Sequence, residues 1–184
     1  MNTGVIASRY AKALLKFVQE NGTGKEVYSQ SCILVAQIDG LPQLKRYLEE
    51  AADVSLDKKL NLIAAALGES PSPSMVRFLT LVAEHRREEM FSRMLHSFIE
   101  QYRRANNIMV GKLVTAVPNE DLCRRLEELF HEKTGAEVYL EESVDPELIG
   151  GFLFELEGRR LDASVSGQLE CIRRQLVEKN NRIV

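Results

Sequence analysis

The sequence predicts a mainly α-helical protein with a smaller α+β part: an N-terminal six-helix bundle followed by a small mixed α/β C-terminal domain. Apolar residues recur at three- and four-residue steps through most of residues 1–105, as they do on amphipathic helices. Beyond residue 105, β-branched runs and alternating patterns stand between the helical stretches. The charge balance changes there too, since residues 1–105 carry 14 basic and 12 acidic side chains and residues 106–184 carry 10 and 15. We therefore predict two domains, 1–105 and 106–184.

The composition is that of a globular protein without an obvious polyanion or membrane partner. Of 184 residues, 45% are hydrophobic and 28% charged, enough for a core and a solvated surface, and the net charge is only −3. No uninterrupted apolar run is long enough to span a bilayer, and the N-terminus lacks the pattern of a secretion signal. The three scattered cysteines suit a reducing compartment. We expect an unexported protein that meets membranes only through its partners.

The first three helices follow from periodicity and terminal signals. A helix is predicted over 5–18, and Thr23 with Glu26 has the spacing of a capping box that begins a second helix. This second helix is expected to end near Gly40, and Pro42 suits the first turn of a short third helix. The apolar stripe of the first helix consists of Ile6, Tyr10, Ala13, Leu14 and Phe17.

Three further helices are predicted before residue 106. Ser55 is expected to cap the fourth, and the proline- and serine-rich run 70–74 separates the fourth from the fifth. The fifth helix carries the stripe Met75, Phe78, Leu79 and Val82, and the sixth carries Met90, Phe91, Met94, Leu95, Phe98 and Tyr102. Short links between such helices are typical of a bundle.

The second domain begins with a predicted strand over 108–117, which ends before Pro118. Asn119 is expected to cap a helix that ends before Gly135, and a second strand is predicted over 136–142.

Residues 151–157 alternate, with Phe152, Phe154 and Leu156 on one side and Leu153, Glu155 and Glu157 on the other. Gly158 suits a hairpin turn before a strand at 160–162. The chain closes with a helix whose apolar stripe is Val165, Leu169, Ile172 and Leu176.

Catalytic and metal-binding patterns are missing from the sequence. His85, His96 and His131 are dispersed and lack a Cys or carboxylate at metal-ligand spacing. The acidic run 141–147 lacks the alternation and central glycine of a calcium loop, so we interpret it as a solvated turn. We predict no cofactor, no metal and no catalytic residue. An enzyme stays a third option, which turnover dependent on His85 or Glu141 would support.

Nucleic-acid binding is also disfavoured. The pairs Arg86–Arg87 and Arg103–Arg104 are the short basic clusters of the first domain, and neither is interleaved with aromatic residues. The residues therefore point to protein binding: an adaptor with two dissimilar ends, a helical bundle that accepts an amphipathic helix and an acidic α+β module.

Three segments resemble a known family when they are taken in order. Residues 9–14 (RYAKAL), 148–152 (LIGGF) and 162–165 (DASV) are similar to the δ subunit of F-type ATP synthases, whose mitochondrial relative is the oligomycin sensitivity-conferring protein. The resemblance covers essentially the whole chain. It implies a six-helix N-terminal domain on the catalytic head and a C-terminal domain that holds the b-subunit peripheral stalk.

The resemblance also implies a partner site. A groove between the first and fifth helices is expected to accept the amphipathic N-terminal segment of an α subunit. The implied groove residues are Arg9, Tyr10, Ala11, Ala13, Leu14, Phe78, Leu79 and Val82.

Four further residues match the family motifs with structural roles. Gly150 and Gly151 are expected to allow a bulge or a close backbone approach, and Asp162 and Ser164 to cap and turn the chain before the last helix. The segment 84–87 (EHRR) departs from the Glu-Asn-Gly-Arg that the family often has, which puts the turn geometry there in question.

We therefore expect a non-catalytic stator subunit that links the α/β head to the b-subunit stalk and resists rotor torque during proton-driven ATP synthesis. The expected location is the cytoplasmic face of the bacterial inner membrane, as a peripheral protein. The alternative is a free-standing helical adaptor or regulator of another assembly.

Overall fold

The structure, a computed structural model, describes residues 3–49 and 55–180, with the side chains of Glu49 and residues 175–180 left out of the description. The chain divides into two compact units, Met1–Asn106 and Asn107–Val184. The described part is mainly helical with one small four-stranded sheet, as the sequence predicts.

The described part of the first unit contains α-helices and one short 3₁₀ helix. The helices are α1 (Thr3–Asn21), α2 (Gly24–Gly40), α3 (Pro42–Glu49), α4 (Leu56–Leu67), α5 (Pro73–Glu84), the 3₁₀ helix (Glu88–Met90) and α6 (Phe91–Ala105). α6 packs against both α1 and α2, and its buried face includes Phe98, Met94 and Leu95.

Two buried polar side chains are satisfied within this unit. The Gln30 side chain accepts a hydrogen bond from the Ser72 amide at 3.0 Å and donates one to Glu69 at 3.0 Å. Lys59 is only 4% exposed, and its Nζ lies 2.9 Å from a carboxylate oxygen of Glu88. Burial of a charge is tolerated where a partner of opposite sign is in contact with it.

Two predicted helix caps in this unit are wrong. Thr23 and Ser55 precede α2 and α4, but neither side chain accepts a hydrogen bond from the helix that follows. The Thr23 hydroxyl instead lies 3.0 Å from the Ser74 hydroxyl, so a tertiary contact replaces the local capping bond. The Ser55 carbonyl oxygen, not its side chain, accepts from the amides of the first turn of α4.

The second unit is built on the four-stranded sheet, and its elements are β1 (Ile108–Thr115), α7 (Glu120–Thr134), β2 (Glu137–Val144), β3 (Phe152–Leu156), β4 (Arg159–Asp162) and α8 (Val165–Asn180). The strand order is β2-β1-β3-β4. β1 runs parallel to β2 and antiparallel to β3, and β3 and β4 form a hairpin. In α8 the side chain of Leu176, expected in the apolar stripe, lies outside the described residues.

One face of this sheet holds the core of the second unit. Leu113, Phe154 and Leu156 are buried there, and Leu126 and Phe130 of α7 pack against them. The rings of Phe130 and Phe154 are stacked with centroids 4.9 Å apart. The hairpin turns at Glu157 and Gly158, both with positive φ, which is the geometry of a two-residue turn matched to strand twist.

The structure changes two strand boundaries. β1 ends at Thr115 rather than at residue 117, and β2 extends to Val144 because its last residues pair with the end of β1 in the parallel register. The predicted cap of α7 is confirmed, since the Leu122 amide donates to the Asn119 side chain at 3.0 Å. Gly135 ends α7 in the left-handed conformation, also as predicted.

Candidate functional site: a groove between α1 and α5

An apolar groove of about 480 Å³ lies between α1 and α5. α1 contributes Ala13, Leu14 and Phe17 to its lining. α5 contributes the apolar Phe78 and Leu81 together with the polar or charged Ser74, Arg77, Thr80 and Glu84. The volume and the mainly apolar lining suit the face of an amphipathic helix.

The two helices run antiparallel, so the groove has two distinct ends. At one end the Arg77 guanidinium lies over the Phe17 ring, 5.2 Å from its centroid. At the other end the Arg87 guanidinium lies 5.5 Å from the centroid of Tyr10 and donates a hydrogen bond of 3.4 Å to the Tyr10 hydroxyl. Tyr10 precedes Phe17 whereas Arg77 precedes Arg87, which fixes the opposite directions of the helices.

The position of α5 is set by its N-terminus. The Ser72 side chain accepts from the Met75 amide at 3.3 Å, and Pro73 occupies the first turn, where a missing N–H leaves no hydrogen bond unmade. Because the Ser72 amide is itself bound by Gln30 of α2, the start of α5 is tied to a neighbouring helix.

The C-terminus of α5 ends in a left-handed turn at Arg86, whose φ is +52°. The Arg87 amide donates to the Val82 carbonyl at 3.1 Å and the Arg86 amide to the Ala83 carbonyl at 2.9 Å, the pairing of a Schellman motif. Arg86 occupies the position at which the family that the sequence resembles often has glycine. The turn is therefore formed in this chain by a residue with a Cβ.

Three of the predicted groove residues, Ala13, Leu14 and Phe78, line the groove. Tyr10 lies at one end, where its ring also meets His85 edge-on at 6.4 Å. Arg9 is exposed on α1 and is not part of the described lining.

The structure places the other three predicted groove residues in the core. Ala11 and Val82 are almost completely buried and Leu79 is 8% exposed. Each stands beside or one turn from a lining residue, and one step along a helix rotates a side chain by about 100°. None of the three belongs to the lining of the groove, and Leu79 and Val82 line a small cavity beside α4 and the 3₁₀ helix instead.

Sequence reasoning missed several lining residues. Phe17 and Leu81 continue the apolar stripes of α1 and α5 at a three-residue step from Leu14 and Phe78. That spacing is the signal that identifies them. Arg77 and Glu84 also line the groove. Because both are charged, the spacing of apolar residues in the sequence could not identify them.

A second, larger cavity of about 800 Å³ lies among α2, α3 and α4. The sequence did not predict it. Its lining mixes apolar and amide side chains with one lysine and one tyrosine, and consists of Gln37, Leu41, Gln43, Leu44, Tyr47, Lys58, Asn61, Leu62, Ala65 and Ala66.

In the second unit, the predicted close approach at the paired glycines is present. Gly151 has φ of +79°, and a Cβ there would overlap the Ala163 carbonyl oxygen and lie 2.9 Å from the Ser164 Cα. The Gly150 carbonyl accepts a hydrogen bond of 3.0 Å from the Val165 amide. The glycines thus let the chain before β3 lie directly against the start of α8.

Asp162 and Ser164 have the predicted turn and cap roles. The Asp162 carboxylate accepts from both the amide and the hydroxyl of Ser164, and the Gly167 amide donates to the Ser164 hydroxyl at 3.0 Å. Hydrogen bonds from Ser164 hold the pKa of Asp162 below its ordinary value.

α8 presents an apolar stripe to solvent. Val165, Leu169 and Ile172 are all exposed, and Ile149 beside the paired glycines is more exposed still. Contiguous exposed apolar side chains of this kind mark protein contacts.

No group of three or more His, Cys, Asp or Glu side chains that could hold a metal occurs among residues 3–49 and 55–180. His96 lies 3.3 Å from Asp39, and the His131 ring contacts the Ala136 carbonyl. The His96 pair is exposed, whereas the His131 contact is partly buried because Ala136 belongs to the core.

Comparison with known proteins decides the family. The sequence model of the ATP synthase delta (OSCP) subunit family matches residues 6–176. The chain belongs to the ATP synthase delta (OSCP) subunit family. Among delta subunits, that of Phocaeicola vulgatus is 41% identical over 186 residues and that of Bacteroides thetaiotaomicron 37% over 188, with all of both chains covered in each case.

A chain from a solved ATP synthase has the same fold. A chain of the cryo-EM structure of the Toxoplasma gondii mitochondrial ATP synthase hexamer matches with a TM-score of 0.62 and 20% identity, over 93% of this chain and 97% of that chain. The delta (OSCP) subunit is a stator component of the F-type ATP synthase and is not catalytic. Within the described residues, no helix has both the length and the apolarity to cross a bilayer.

Proposed function

We propose that the α1–α5 groove binds the amphipathic N-terminal segment of an α subunit and so attaches this delta (OSCP) subunit to the catalytic head. The observation that carries the proposal is the apolar lining, which offers the partly exposed Phe17 and Leu81 beside the buried Leu14 and Phe78. A few aliphatic and aromatic anchors of this kind supply most of the energy of a protein contact. We further infer that the helices of residues 3–105 act together as the six-helix bundle that seats on the head.

Calorimetric titration of the full chain with a synthetic α-subunit N-terminal peptide from the same organism tests this contact. Leu81→Glu places a charge in the groove at a residue that is 40% exposed, and Ile33→Glu is the matched control on α2 at 39% exposure. We expect the Leu81 variant to lose binding while staying folded, and the Ile33 variant to bind like the parent. Equal binding by all three proteins would contradict the groove assignment.

We propose that the second unit holds the b-subunit peripheral stalk through the exposed stripe of α8. Val165, Leu169 and Ile172 lie on one helical face, since they are spaced by three and four residues. The acidic balance of residues 106–184 favours a basic segment of the stalk.

Binding of the C-terminal segment of the b subunit to the full chain checks this second contact. Leu169→Glu should weaken binding, whereas Val117→Glu, at an exposed apolar residue outside α8, should not. A loss of binding for Val117→Glu and not for Leu169→Glu would mean that the stalk contact lies outside α8.

With both contacts made, the chain links the static head to the stalk and resists rotor torque during proton-driven ATP synthesis. A contact with nanomolar affinity has a binding free energy of about −12 kcal/mol, which is within the range of ordinary protein interfaces. The protein would then lie at the cytoplasmic face of the bacterial inner membrane, attached through the complex. Its bacterial relatives support that location.

A further inference from the structure

We propose that the α1–α5 groove selects its helix by charge as well as by apolar shape. The favoured helix carries a carboxylate that reaches Arg77 and a basic side chain that reaches Glu84, about seven residues apart and beside its apolar stripe. This inference rests on the proposed function of the groove and adds a rule for which amphipathic helices it accepts.

Glu84 is the first observation. It is exposed, lines the groove and is the last residue of α5. An acid is unfavourable at a helix C-terminus, where the backbone carbonyls already concentrate negative charge. Within the described residues no basic side chain forms a salt bridge with Glu84. The nearby Arg87 is held by Tyr10. A basic group from a partner would offset the unfavourable negative charge of Glu84 at this helix end.

Arg77 is the second observation. Arg77 is exposed at the opposite end of the groove, and its guanidinium is positioned over the Phe17 ring. No carboxylate of the described residues forms a salt bridge with it. The planar fork of donors that a guanidinium carries matches the two oxygens of a carboxylate.

The spacing follows from helix geometry. Arg77 and Glu84 are seven residues apart on α5, which corresponds to about 10 Å along the helix axis. A partner helix packed alongside α5 has the same rise, so its matching charges must also be about seven residues apart. Phe78 and Leu81 lie between the two charges, where the partner places its apolar residues.

Charge reversal in the full chain tests the rule. Arg77→Glu and Glu84→Arg are titrated with the α-subunit N-terminal peptide at low salt, with the exposed residues of other helices, Lys45→Glu and Glu100→Arg, as controls. Each groove reversal should raise the Kd about three- to tenfold, and the controls should not change it. Circular dichroism of each variant verifies the fold.

Rescue with altered peptides then locates the partner charges. One acid-to-lysine change in the peptide should restore binding to Arg77→Glu, and one base-to-glutamate change should restore binding to Glu84→Arg. The two rescuing positions should be about seven residues apart. Unchanged Kd values for the reversals, or rescuing positions on opposite faces of the peptide helix, would overturn the charge rule alone. Failure of the unaltered chain to bind the peptide would overturn the proposed function and this inference with it.

Discussion

Gly151 lies with its backbone directly against the carbonyl of Ala163, which leaves no room for a side chain between them. Gly151 also has φ of +79°, a conformation that residues with a Cβ adopt at a cost. This approach brings the entry to β3 against the start of α8. Packing within the second unit therefore explains the glycine at position 151.

Gly151→Ala should destabilise the second unit by roughly 3 kcal/mol or more, because steric overlap adds to backbone strain. Hydrogen exchange at amides of β1 and β3 measures this effect separately from the first unit. Gly158→Ala is the matched control, since Gly158 has φ of +74° but nothing within 4 Å of the added Cβ. Gly158→Ala should lower the stability of the second unit by only about 1 kcal/mol. Equal losses for the two variants would show that steric overlap is not the cause.

Arg86→Gly should stabilise the first unit by about 1 kcal/mol, because it removes a left-handed residue that carries a Cβ. Denaturant unfolding followed by a probe in the first unit provides the measurement. Gly68→Ala makes the opposite change at φ of +72° with open space around it, and it should destabilise by a similar amount. A loss of stability in Arg86→Gly would mean that the arginine side chain makes a stabilising contact.

Glu88→Gln should destabilise the first unit by about 1 to 3 kcal/mol, because it leaves the buried Lys59 ammonium without its counter-charge. Glu89→Gln is the control, since Glu89 is the exposed neighbour on the same 3₁₀ helix. Thermal unfolding compares the two. Adding Lys59→Met to Glu88→Gln should recover most of the loss, and failure to recover it would show that the pair is not the source.

The start of α8 should lose stability in acid through Asp162. The folded pKa of Asp162 lies below the ordinary value of 3.8, so its ionised form stabilises the fold at neutral pH, and this contribution disappears as the pH falls through the folded pKa. The stability difference between the parent and Asp162→Asn should be constant near neutral pH and shrink below the ordinary pKa. A difference that stays constant in acid would contradict the role of this carboxylate.

Local signals predicted much of the fold because local physics determines those features. Asn119 caps α7 and Gly135 ends it as expected, since both roles depend only on neighbouring backbone. Thr23 fails as a cap because its hydroxyl meets Ser74, 51 residues away in the sequence. No local pattern reveals such a contact.

The lining of the groove also depends on tertiary contacts that local sequence patterns do not reveal. Periodicity identifies the apolar faces of α1 and α5, but Ala11, Leu79 and Val82 turn into the core while Phe17 and Leu81 reach the surface. The packing of neighbouring helices decides which side of a broad apolar face is covered. Sequence alone therefore could not distinguish the core residues from those that line the groove. The cavity among α2, α3 and α4 has no sequence signal at all.

The head contact is tested most directly by methyl NMR of the full chain during titration with the α-subunit N-terminal peptide. The groove predicts shifts at the Ala13 and Leu81 methyls, with Leu62 and Ala65 in the cavity among α2, α3 and α4 unchanged. Shifts confined to Leu62 and Ala65, or saturation of the peptide with no shift at Ala13 and Leu81, would contradict it.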